Sequence, residues 1–243
     1  MIEQDIDITS RNGPIPSFAV SPDEPGRSPA IILYMDAPGI REELRNIARR
    51  IAKEGYFCLL PDLYYRLGTL RFDMIRQAQG RMETVFAAMN SLTNKLVMDD
   101  TAAMLGWLDG EEHARPGPVG SIGYCMSGKF VATAAATFAD RFAASASLYG
   151  VGIVTKEEDS PHLLVPRIKG AIYLGFAEDD PHVAPETVPT LRDALNAAGT
   201  RHILEVLPGT RHGYQFPERE VYHPAAAEAS WAKIFAMWDE RLR

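Results

Sequence analysis

Two cysteines, Cys58 and Cys125, are all that 243 residues contain. That is too few for a disulfide framework and fits a reducing compartment. The chain also lacks any basic cluster, and its formal net charge is −7. Nucleic acid and anionic membrane surfaces are therefore poor candidate partners. No apolar stretch approaches the length that spans a bilayer. The first ten residues, MIEQDIDITS, have no basic segment followed by an apolar run, so no secretory leader is read there and a cytoplasmic location is expected. Internal repeats, low-complexity segments and linkers are missing as well. What remains is a soluble composition, 46% hydrophobic and 23% charged. One domain over residues 1–243 is expected, with a core large enough to need neither disulfide nor metal.

The apolar pattern divides the chain. Residues 2–9 alternate, with Ile2, Ile6 and Ile8 on one side, and Asn12-Gly13 turns the chain into a second strand at 15–20. From Ala30 the strands become continuous apolar runs, as in sheets covered on both faces. They fall at 30–35, 56–60, 118–122, 142–149, 171–176 and 202–207. Helical spacing lies between them: 40–51 ending at Gly55, then 71–89, 99–108, 127–138, 186–198 ending at Gly199, and 225–242. Alternation of this kind predicts an α/β protein, a mostly parallel sheet with helices on both faces and an antiparallel N-terminal edge. Residues 151–169 form the longest irregular stretch, expected to cover one edge of a site.

The sharpest local signal is Gly123-Tyr124-Cys125-Met126-Ser127-Gly128, between a predicted strand and a predicted helix. A nucleophile there sits on a tight turn, and small flanking residues let the chain close. The helix N-terminus favours a thiolate, and the N–H of Met126 can hold a developing oxyanion. Read alone, the pattern also fits a buried cysteine on a tight turn. Ser127 is a rival nucleophile, placed off the apex. Cys58, inside an apolar run, reads as a small core residue.

A cysteine nucleophile needs a base and the base an orienting acid. Of six histidines, only His212 follows the last strand on a short loop flanked by glycine. His113 and His202 read as structural or solvated, and His162 and His223 as capping or surface groups. His182 lies near the acid loop. Glu178, Asp179 and Asp180 compete for the acid role.

Four stretches, in order, are similar to one known family. Gly123-Tyr124-Cys125 matches its nucleophile turn, Pro61-Asp62-Leu63-Tyr64-Tyr65-Arg66 a loop after the second parallel strand, Asp180-Pro181-His182-Val183 its Asp-x-x-Val acid loop, and His212-Gly213-Tyr214 its histidine loop. The chain resembles the dienelactone hydrolases, also called carboxymethylenebutenolidases, which are α/β-hydrolases without a large lid. The resemblance implies a Cys125-His212-Asp180 triad and an oxyanion hole of the Met126 and Ala37 N–H groups. Asp36, Tyr64, Arg66 and Arg219 are then the candidates for substrate binding or thiol activation. Two departures stand out: Asp36 replaces the family's glutamate, and Phe216 stands where the family has an arginine, with Arg219 three residues on. The implied reaction opens a small lactone or ester, neutral or anionic, with no cofactor and no metal, in a monomer or homodimer. A broad-range carboxylesterase or thioesterase on the same fold is the alternative, and a non-catalytic binding protein is a third reading.

Overall fold

The computed structural model describes residues 1–24, 26–72 and 81–243. The chain divides into two compact units, Met1–Gly117 and Pro118–Arg243.

The first unit opens with a hairpin of β1 (Ile2–Ser10) and β2 (Gly13–Ser21), turned at Gly13 with φ +113°. Its two strands pair antiparallel along their whole length. β3 (Ala30–Tyr34) and β4 (Phe57–Pro61) are fully buried and parallel, joined by α1 (Glu42–Lys53). β2 joins β4 antiparallel, which sets the hairpin outside the parallel pair. Buried Leu44, Ile47, Ala48 and Ile51 give α1 one apolar face, and Gly55 ends it with φ +87°. α2 (Arg81–Asn90) and α3 (Asn94–Gly110) complete the unit. The helix expected over 71–89 falls partly outside the described residues; Arg71 and Phe72 are not helical.

The second unit holds four parallel strands in the order β5 (Val119–Tyr124), β6 (Phe142–Leu148), β7 (Ala171–Asp179) and β8 (His202–Arg211). The helices between them are α4 (Gly128–Thr137), a short α5 (Pro161–Leu164) and α6 (Thr187–Ala198), with α7 (Pro224–Leu242) last. α4 is built of small apolar residues because it packs directly on β5 and β6. Parallel strands joined by helical crossovers, after an antiparallel hairpin, make the α/β-hydrolase fold expected from the pattern.

Two differences are physical. β7 and β8 run past the apolar stretches that announce them, to Asp179 and Arg211, through a register shift after Ala177. Pro208 in β8 is tolerated because, among the described residues, β8 pairs only with β7 and is an edge strand. Residues 151–169 are not structureless: Pro161 starts α5 and a 3-10 turn follows at Val165–Arg167.

Candidate active site

Cys125 takes its place from the end of β5. Its φ is +54°, a left-handed value that a side chain tolerates only when the surroundings impose it. A 3-10 turn, Cys125–Ser127, leads straight into α4. Two glycines permit it. A Cβ on Gly123 would lie 2.8 Å from Val131 Cγ2, and one on Gly128 2.3 Å from the Gly150 Cα. Gly128 is thus the tighter constraint, although the sequence pattern drew attention to Gly123 and Ser127. The Cys125 carbonyl accepts from the Val151 N–H at 3.0 Å, pinning the turn to the loop after β6. Cys125 is partly exposed, whereas Ser127 and Cys58 are fully buried. Burial pushes the Cys58 thiol far up, which keeps it inert.

The ends of β7 and β8 bring the next two groups together. His212 Nδ1 lies 2.7 Å from Asp180 Oδ2, and both side chains are largely shielded from water. The neighbouring carboxylates have other tasks. Asp179 is exposed and faces Arg211 at 3.9 Å. Glu178 accepts the Gly209 N–H at 2.8 Å, tying one strand end to the other. With Nδ1 on the carboxylate, the other ring nitrogen of His212 is left for its hydrogen bond to the Cys125 sulfur. Burial alone would lower the His212 pKa. The hydrogen bonds to Asp180 and Cys125, and their negative charges, override it and push the value up to about 9. The arrangement thus favours an imidazolium at His212.

Sequence reasoning passed over one neighbour and noted another only by position. Tyr149, at the end of β6, has φ +39° and sets its ring 4.8 Å from that of His212 at 63°. Tyr214 meets Tyr149 at 5.4 Å, and Tyr124 packs against Phe216 at 5.0 Å, so an aromatic wall backs the histidine. The signal that could have found Tyr149 is its place at the carboxyl end of a parallel strand, where such sheets bind ligands. His182 also meets the histidine, its ring 4.8 Å from His212 at 73°. Arg219 reaches back over the Phe216 ring at 4.1 Å, close to Gly213. Met126 is buried behind the turn.

The remaining candidates belong to the first unit. Asp36 is fully buried, and both its oxygens accept from Arg41. The Ala37 carbonyl accepts from the Tyr64 hydroxyl at 2.8 Å. A structural role for Arg66 would pair it with a nearby acid in sequence, such as Asp62 or Asp73. Asp73 lies outside the described residues. Asp62 instead accepts the Tyr64 N–H. The Arg66 guanidinium forks onto Asp100 of α3 at 2.8 and 2.6 Å, with Tyr65 on the same carboxylate at 2.9 Å. No group of three or more metal-ligating side chains occurs among the described residues. Nor is any described helix long and apolar enough to cross a membrane.

The fold, with a strained cysteine turn ahead of a histidine loop, defines an α/β-hydrolase. The dienelactone hydrolase family profile matches residues 15–241, and the chain belongs to that family. A relative from Synechocystis sp., named "Putative carboxymethylenebutenolidase", is 24% identical over 241 residues, covering 98% of this chain and 96% of its own. A Bradyrhizobium protein named "Probable 2-oxo-3-(5-oxofuran-2-ylidene)propanoate lactonase" is 23% identical, covering 96% and 93%. A solved structure from Klebsiella pneumoniae, described as "Putative Dienelactone Hydrolase", superposes with a TM-score of 0.87 at 23% identity, covering 98% of both chains.

Proposed function

We propose that this hydrolase opens small lactones or esters through a Cys125-His212-Asp180 triad, as a carboxylic ester hydrolase. The observation that carries the reading is the chain of contacts from Asp180 through His212 to a cysteine held at φ +54°. The Cys125 thiolate adds to the carbonyl carbon, and the N–H of Met126 offers a hydrogen bond to the oxyanion. The C–O bond breaks, and the departing enolate or alkoxide takes the proton from His212. His212, now neutral and oriented by Asp180, removes a proton from water. The hydroxide attacks the thioester, the acid leaves, and the thiolate and imidazolium are restored. Good leaving groups such as enolates suit a thiolate, so enol lactones and aryl esters are the expected substrates. The lactonase name carried by the Bradyrhizobium relative supports the lactone part of the reading.

A second reading, a broad-range carboxylesterase, gains from one observation. The guanidinium of Arg66 is already neutralised by Asp100, which weakens it as a clamp for a substrate carboxylate.

The test is Cys125→Ala, assayed on an enol lactone, an aryl ester and a thioester. Activity should fall by about 10⁴-fold or more while the circular dichroism spectrum is kept. Ser127→Ala should retain measurable activity. A Cys125→Ala protein that turned over like the wild type would end the reading.

A further inference from the structure

Resting on the hydrolytic reading above, we infer that His182 is a positioning residue for His212: it closes the solvent side of the base and couples the base to a second, exposed imidazole. A single turn carries both. The Val183 N–H bonds the Asp180 carbonyl at 3.2 Å, and the His182 N–H bonds Asp180 Oδ1 at 3.0 Å. Asp180 Oδ2 is thereby left to His212. Pro181, between them, stiffens the turn. The carboxylate that orients the base is therefore itself oriented by the His182 backbone. The His182 side chain is exposed, yet its ring stands edge-on to His212 at 4.8 Å. Buried Tyr149 meets His212 at the same distance. The base is in contact with two rings, one of them exposed.

Two imidazolium ions at this spacing repel one another. Asp180 and Cys125 hold the first proton on His212. A charge on the His182 ring would loosen that proton, so the two rings are coupled. The other charged or titratable groups about the two rings are Cys125, Asp180, Tyr149, the Asp179–Arg211 pair, Glu178 on the Gly209 N–H, and Arg219 over Phe216. Only His182 among them is a second imidazole against His212.

The experiment uses the full chain, with ¹³Cε1-labelled histidine, as wild type, His182→Phe and His182→Ala. Phenylalanine keeps the ring and removes the charge. In the wild type the His212 signal should move in two pH steps, and in His182→Phe in one. On a neutral aryl ester, His182→Ala should lower kcat about tenfold with KM little changed, through poorer orientation of the base. His182→Phe should recover most of that loss. An identical His212 titration in all three proteins would overturn the proposal, as would equal kcat losses in the two variants. If Cys125→Ala stays active, the hydrolytic reading fails instead, and the two-step titration can still be read from the rings alone.

Discussion

Among the described residues, strain is concentrated at the two non-glycine residues that reach positive φ, Cys125 at +54° and Tyr149 at +39°. Each such backbone costs about 1–3 kcal/mol, and it persists only where neighbours fix it. For Cys125 the fixing is steric. Gly128 passes so close to Gly150 and Ser147 that no Cβ fits, with the Ser147 Oγ 2.5 Å from where one would stand. Gly128→Ala should therefore destabilise the protein by about 1–3 kcal/mol, read by urea denaturation. It should also depress kcat more than KM, because the sulfur is displaced from His212. His212 makes a second residue-scale claim. Its pKa is raised from the unfolded value of about 6.5 to about 9. A raised pKa means that the folded state binds the proton more tightly. The stabilisation is then fully present below about 6.5 and is lost as pH rises through about 9. Comparing wild type with His212→Gln by denaturation between pH 6 and pH 10 should show a stability gap that shrinks across that window. A gap that widened would reverse the assigned charge state.

At the scale of elements, the strand-to-helix turn and the two loops after β7 and β8 were legible, because each is a local pattern of glycine, apolar run and polar end. What crossed between elements was not. The partner of Arg66 is Asp100, 34 residues away on α3, and nothing in either neighbourhood announces it. Tyr149 reads as an ordinary buried aromatic until its backbone is seen. Pro208-Gly209 reads as a loop start, yet β8 carries the chain on to Arg211. The Arg66–Asp100 pair fastens the 61–67 segment to α3, and Tyr65 adds a bond from Ser10 of β1 to the same cluster. Asp100 is fully buried, so removing one partner strands a charge. Asp100→Ala should cost about 3–5 kcal/mol. Arg66→Met should destabilise the fold similarly. If Arg66→Met left stability intact and raised KM for an anionic lactone alone, Arg66 would belong to substrate binding rather than to the frame.

Over the whole molecule, charge decides how a substrate arrives. The formal net charge is −7, and several of the cations are already answered. Arg41 is held by Asp36 and Glu43, Arg45 by Asp5, and Arg49 by Glu3 and Glu42. Arg66 is held by Asp100, and Lys233 by Glu205. Carboxylates outnumber guanidinium and ammonium groups, 32 against 25, so the field at distance is negative. An anionic lactone meets repulsion before it meets the thiolate, and a neutral aryl ester does not. Salt screens the approach, with a Debye length of about 30 Å at 0.01 M and about 8 Å at 0.15 M. Between those ionic strengths, kcat/KM for the anionic lactone should rise by about two- to fivefold, while that for the neutral ester stays flat. The comparison is internal, because under the proposed mechanism both substrates use one triad and one thioester step. A fall with salt for the anion alone would show that a local cation outweighs the global charge. Arg219, set over Phe216 beside the histidine loop, would then be the first residue to replace.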